Sequence, residues 1–131
     1  MPTEEECHLN LIQQIRQIYV PVHDLDRAVR FYRDTLQIPL LFQAGSLAFL
    51  ECNGVRLMLS IPENEDFAKA SSVLYLQVRD LNEAYKQLLA KGVSFIDEPH
   101  LVAKMENVET WMAFFKDSED NTHALMSEVV S

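Results

Sequence analysis

From Gln17 to Val22 the side chains alternate. Ile18, Val20 and Val22 take one parity and Gln17, Tyr19 and Pro21 the other, the period of two expected of a strand that buries one face. At Asp24 the period lengthens. Leu25, Ala28, Val29, Tyr32 and Leu36 recur at helical spacing, and the Asp24 carboxylate is placed to accept a free N–H of the first turn. Gln37, Ile38 and Pro39 end that pattern. The period of two then returns in Leu40–Gln43, Leu47–Glu51 and Arg56–Ile61, separated by Ala44-Gly45-Ser46 and by Asn53-Gly54, a strong hairpin signal.

This order of strand, helix and three strands occurs twice. An offset of 56 residues places Tyr19 on Tyr75, Val22 on Val78, Asp24 on Asp80, Leu25 on Leu81, Ala28 on Ala84 and Arg30 on Lys86. In the second copy Leu74, Leu76 and Val78 alternate with Val73, Tyr75 and Gln77, and Asp80 with Glu83 forms a capping-box pattern. Leu81, Ala84, Tyr85 and Leu88 make the apolar stripe, and Gly92 stands where a left-handed residue stops a helix. The expected strands are then Ser94–Asp97, Thr110–Lys116 and Thr122–Val129. A long connection through Pro99 to Val108 and a turn at Asp117–Asn121 join them. The chain therefore divides into a tail (1–14), a first unit (about 15–62), a polar acidic linker (63–71, with Glu63, Glu65 and Asp66) and a second unit (about 72–129), all within one domain.

Composition narrows the function classes. The 131 residues carry 11 basic and 20 acidic side chains, a formal charge of −9 that argues against a nucleic-acid partner, whose phosphates call for clustered Lys and Arg. Apolar runs are far shorter than the about 20 residues of a membrane-crossing helix. Glu4, Glu5 and Glu6 stand where a secretory leader would be basic and then apolar, so the expected compartment is the cytoplasm. Cys7 and Cys52 form no spaced set for zinc or disulfides and read as reduced thiols.

The tandem βαβββ pattern, with V-x-D-L opening each helix, F-Y-R-D-T-L in the first and a closing F-x-D-x-x-x-N turn, resembles the vicinal oxygen chelate superfamily. That superfamily includes glyoxalase I lyases, bleomycin- and fosfomycin-resistance proteins, methylmalonyl-CoA epimerases and extradiol dioxygenases. The resemblance runs from about Ile15 to Val129. It implies an α+β fold in which the tandem units form a curled eight-stranded mixed sheet around a cleft, with helices on the outer face. It also implies a homodimer. A ferredoxin-like sandwich is the alternative fold, but it has two strands between its helices where four are counted here.

The resemblance further implies a divalent metal held by one cleft-facing residue on each of four strands. Those positions fall on Gln17, Met58, Val73 and Ala124, and only Gln17 suits a hard cation. A displaced metal site would draw on His100, Glu106, Glu109, His123 and Glu128, with Gln17 and His100 as the first choices. His100 lies on the long connection that could close the cleft mouth, and the parity of His123 turns it toward the helix. By parity the cleft receives Gln17, Tyr19, Arg56, Met58, Ser60, Tyr75, Gln77 and Met126, a mostly apolar lining with a few polar anchors suited to a small molecule. Trp111, Met112, Phe114 and Phe115 read as core of the seventh strand, with Trp111 taken as a further ligand contact.

Two functions are consistent with these residues. One is a protein that binds a small, partly apolar molecule without the usual metal or any other cofactor. The alternative is a metal-dependent lyase, isomerase or dioxygenase with a displaced site, in which Glu128 or Glu109 is the base and Tyr19 or Tyr75 the acid.

Overall fold

The computed structural model describes residues 11–63 and 72–130; the tail residues Cys7 and His8 and the linker residues Glu65 and Asp66 lie outside them. The first unit runs β1 (Gln17–Pro21), α1 (Leu25–Val29), β2 (Leu40–Ala44), β3 (Leu47–Cys52) and β4 (Val55–Ser60). The second runs β5 (Tyr75–Gln77), α2 (Leu81–Ala90), β6 (Ser94–Phe95), β7 (His100–Met105), β8 (Val108–Lys116) and β9 (Thr122–Val130). Each unit makes its own sheet, in the orders β1-β4-β3-β2 and β5-β9-β8-β6, with β7 also on β8. In both, the opening strand lies parallel to the closing one, and the other neighbours are antiparallel. The duplicated α+β topology is therefore present, with no closed barrel.

Local chemistry starts and stops the elements. Asp24 and Asp80 sit in extended backbone and accept the N–H of Arg27 and Glu83, each at 3.1 Å, as N-caps. Asn53 (φ 45°) and Gly54 (φ 93°) make the expected hairpin turn with two left-handed residues. After Val29 the first helix widens into a π-helical segment, Arg30–Thr35, closed by the Leu36 N–H on the Phe31 carbonyl at 3.0 Å.

The second unit departs from the sequence reading at its middle strands. The expected Pro99–Val108 connection is strand β7, which turns into β8 at Glu106 (φ 57°). Asp97, Glu98 and Pro99 break the preceding strand, leaving only Ser94–Phe95 as β6. Proline has no N–H for a ladder, and the Asp97 carboxylate instead accepts the Phe114 N–H at 2.8 Å. The described residues thus hold nine strands where eight were expected.

Alternation sorts the side chains as the sequence predicts. Val20, Val22, Ala48, Leu50, Leu57 and Leu59 of the first sheet pack with Leu25, Ala28, Val29 and Tyr32 of its helix. Ala113, Phe115 and Leu125 of the second sheet pack with Leu81 and Leu88 of α2. Phe31, Leu36 and Leu76 touch both clusters, so the two cores meet on the helix side. The opposite faces of the sheets are left open.

Candidate functional site

The open face of the first sheet carries Gln17, Tyr19, Arg56, Met58 and Ser60, because β1 and β4 pair Gln17 with Arg56, Tyr19 with Met58 and Pro21 with Ser60. A cavity of about 360 Å³ lies there, lined by Tyr19, Met58 and Ser60 and by the segment Ile61, Pro62 and Glu63 that leaves β4. Beside it runs a short polar chain. The Arg56 guanidinium lies over the Phe49 ring, 5.1 Å from its centre, and donates to Gln17 Oε1 at 2.9 Å. Gln17 Nε2 in turn approaches Met58 Sδ at 3.8 Å.

On the second sheet the open face presents Tyr75, Gln77 and Met126, paired in register as Tyr75 with Ala124 and Gln77 with Met126. Tyr75 is half-exposed and meets Phe114 edge-on, with centroids 6.3 Å apart. Among the described residues, none from this sheet lines the 360 Å³ cavity. The expected ligand residues therefore form two groups, one on each sheet.

The remaining candidates lie elsewhere. Trp111 packs against the α2 cluster, on the helix side. Glu109 has the same parity and accepts the Trp111 indole N–H at 3.2 Å. Glu128 pairs with Thr110, one residue out of step with Glu109, so the two carboxylates project from opposite faces of the β8–β9 ribbon and do not converge. His100 is not on a closing loop: it sits on exposed β7, with Nδ1 2.9 Å from the Glu98 carbonyl. Glu106 forms the turn after that strand.

The four positions at which the superfamily holds metal fit an ion poorly. Gln17 Oε1 already accepts from a guanidinium, Met58 offers a thioether, and Val73 and Ala124 offer no donor. Nor do three His, Cys, Asp or Glu side chains come together as a metal site among the described residues.

Two polar clusters escaped the sequence reading. In the first, Glu119 from the β8–β9 turn reaches the start of α1. Its Oε1 accepts the N–H of His23 at 2.7 Å and of Asp24 at 2.8 Å, and its two oxygens take the Arg27 guanidinium at 2.7 and 3.0 Å. In the second, buried His123 faces the helix, as its parity predicts. Leu74 N–H donates to His123 Nδ1 at 3.1 Å, so the proton of the neutral ring sits on Nε2, 2.8 Å from Tyr32 Oη. The Tyr32 hydroxyl donates to Asp117 Oδ2 at 2.5 Å, and Asn121 Nδ2 donates to the same carboxylate and to the Pro21 carbonyl, each at 2.9 Å.

Burial alone would push the carboxyls of Asp117 and Glu119 up, but their donors win, and both titrate below the ordinary carboxylate range. His123, Tyr32 and Asn121 hold Asp117 down; Arg27 and the N–H groups of Asp24 and His23 hold Glu119 down. A carboxyl lowered in the folded state contributes stability that is complete above its unfolded pKa of about 4 and is lost as pH falls through the folded value. The thermal midpoint is accordingly expected to stay level from neutral pH to about 5 and to fall steeply below about 4. Calorimetry across that range checks this, and a midpoint insensitive to acid would refute it.

The fold is that of a paired βαβββ protein, with one sheet per unit, helices on one side and open faces on the other. A family model described as the Glyoxalase/Bleomycin resistance protein/Dioxygenase superfamily matches residues 12–122, and the chain belongs to that superfamily. Solved structures agree on the fold. A superfamily member from Sphaerobacter thermophilus aligns with a TM-score of 0.76 and 24% identity, over 90% of this chain and 99% of that one. A lactoylglutathione lyase from Agrobacterium tumefaciens gives 0.69 and 20%, over 88% and 94%. TnmS3, an antibiotic binding protein from Streptomyces sp. CB03234, gives 0.68 and 23%, over 92% and 99%.

Proposed function

We propose that the chain is a cytoplasmic binding protein that holds a small, partly apolar molecule on the open face of its first sheet, without a divalent metal at the superfamily positions. The observation that carries this reading is the Gln17–Arg56 hydrogen bond beside the cavity, which points the one retained metal-type oxygen at a cation of the protein's own. Tyr19 and Met58 offer apolar contact and Ser60 a hydroxyl. The fold shared with TnmS3, an antibiotic binding protein, supports the same reading. We take the working form to be a homodimer, since Leu101, Val102 and Met105 of β7 and Val130 of β9 leave apolar surface for a second copy.

A compound screen read by thermal shift tests the binding reading. A ligand present at about 100 times its Kd stabilises the folded state by about 2.7 kcal/mol, and Met58→Trp, which fills the cavity, is expected to abolish that shift while leaving the unliganded midpoint nearly unchanged. Calorimetric titration with manganese, nickel and zinc ions is expected to give no stoichiometric heat. Stoichiometric uptake of one of these ions would overturn the metal-free reading in favour of a metal-dependent lyase, isomerase or dioxygenase.

A further inference from the structure

We propose that the corner where β5 enters α2 binds a neutral planar molecule presenting a hydrogen-bond acceptor, such as an aromatic amide or lactam carbonyl. The duplication supplies the comparison. In each unit the strand ends on the same bond, Val22 N–H to the Ser60 carbonyl at 3.0 Å and Val78 N–H to the Met126 carbonyl at 2.8 Å, and the capping aspartate follows two residues later. The two corners then differ in what meets their next two amides. At the first, His23 and Asp24 N–H are both taken by the Glu119 carboxylate. At the second, Arg79 and Asp80 N–H have no partner among the described residues. Glu51, beside the short turn between β3 and β4, keeps its carboxylate on Gly54 N–H.

In place of a carboxylate, the second corner opens into a cavity of about 450 Å³. Ser127 lines it. That residue is only 5% exposed, and its hydroxyl has no hydrogen-bond partner among the described residues, so a side-chain donor and two backbone donors on solvent-exposed residues border one space. The Trp111 ring, Pro99 and Val129 supply apolar walls. A planar ring against the indole, with its acceptor toward the corner amides and Ser127, would satisfy all three.

Charge selects a neutral ligand over an anion. Arg27, which balances the carboxylate at the first corner, corresponds by the repeat to Glu83 at the second. Asp80, Glu83 and Glu109 all stand near this corner or its walls, with Arg79 the cation among the lining residues. A carboxylate ligand would meet repulsion that an amide avoids.

Trp111 is the chain's one tryptophan, so its emission reports directly on this cavity. Benzamide and benzoate, titrated separately into the full chain and followed by indole fluorescence and amide NMR, test the proposal. Benzamide is expected to shift the Arg79 and Asp80 amide signals together with the indole emission. Ser127→Ala is expected to weaken it about fivefold, the equivalent of one net hydrogen bond. Ser127→Cys, close in size with a weaker donor, is the second variant if the alanine form folds poorly, and should fall in between. No movement of either amide at millimolar benzamide, an affinity unchanged by either Ser127 substitution, or tighter binding of benzoate would each overturn the assignment.

Discussion

Glu119→Ala is expected to destabilise the fold by about 3 kcal/mol, lowering the thermal midpoint by roughly 10 °C for a domain of this size. The carboxylate side chain is wholly buried, whereas that of Arg27 is 48% exposed. Truncating Glu119 leaves the His23 and Asp24 N–H groups without their acceptor at the start of a short helix and unties the β8–β9 turn from the first unit. Truncating Arg27 removes a partner that water can replace, so Arg27→Ala should cost much less than Glu119→Ala. Glu119→Gln, which keeps an acceptor and loses the charge, should fall between the two. Urea unfolding of the three variants at neutral pH makes the comparison. Equal losses for Arg27→Ala and Glu119→Ala would show that the ion pair, and not the amide acceptor, is what matters, and would overturn the ranking.

Legibility in the sequence followed locality. The repeat, the two capping aspartates and Asn53-Gly54 are short-range signals, and each produced the element it predicts. Strand β7 had no such signal. Leu101, Val102 and Ala103 run together without alternation because the strand is exposed on both faces, and its turn is built on Glu106 with no glycine. The π-helical segment was equally hidden, since Tyr32 and Leu36 satisfy ordinary helical spacing as well. At the candidate site, parity placed Gln17, Tyr19, Arg56, Met58 and Ser60 on one face because they follow from two strands of clear register. It could not show that Tyr75, Gln77 and Met126 line a separate surface, which depends on how the sheets pack. For Trp111 and Glu109 the signal was available: both have the parity opposite to Met112, the register partner of Met126. Glu119 had none, for the His23, Asp24 and Arg27 groups that it binds at the start of α1 lie more than ninety residues away in the chain.

Tyr32→Phe is expected to be the second most damaging substitution, at about 2 kcal/mol, although it removes a single oxygen atom. That oxygen stands between two buried groups, donating to Asp117 and accepting from His123, and each loses a partner together with it. Burial, then the Asp117 carboxylate, raises the Tyr32 pKa far above the ordinary phenol value, so the hydroxyl keeps its proton and remains a donor at every pH at which the protein folds. The variant should also change the response to acid in a defined direction. With one donor gone, the folded pKa of Asp117 moves up toward its unfolded value, and the stability that depends on its ionisation shrinks. Below about pH 4 the midpoint of Tyr32→Phe should therefore fall less steeply than that of the parent. In an Asp117→Asn background the same Tyr32 substitution should cost less, because the charge that the hydroxyl serves is absent. Additive losses in that double-mutant cycle, or parallel acid profiles for Tyr32→Phe and parent, would mean that the hydroxyl and the carboxylate are neighbours without energetic coupling.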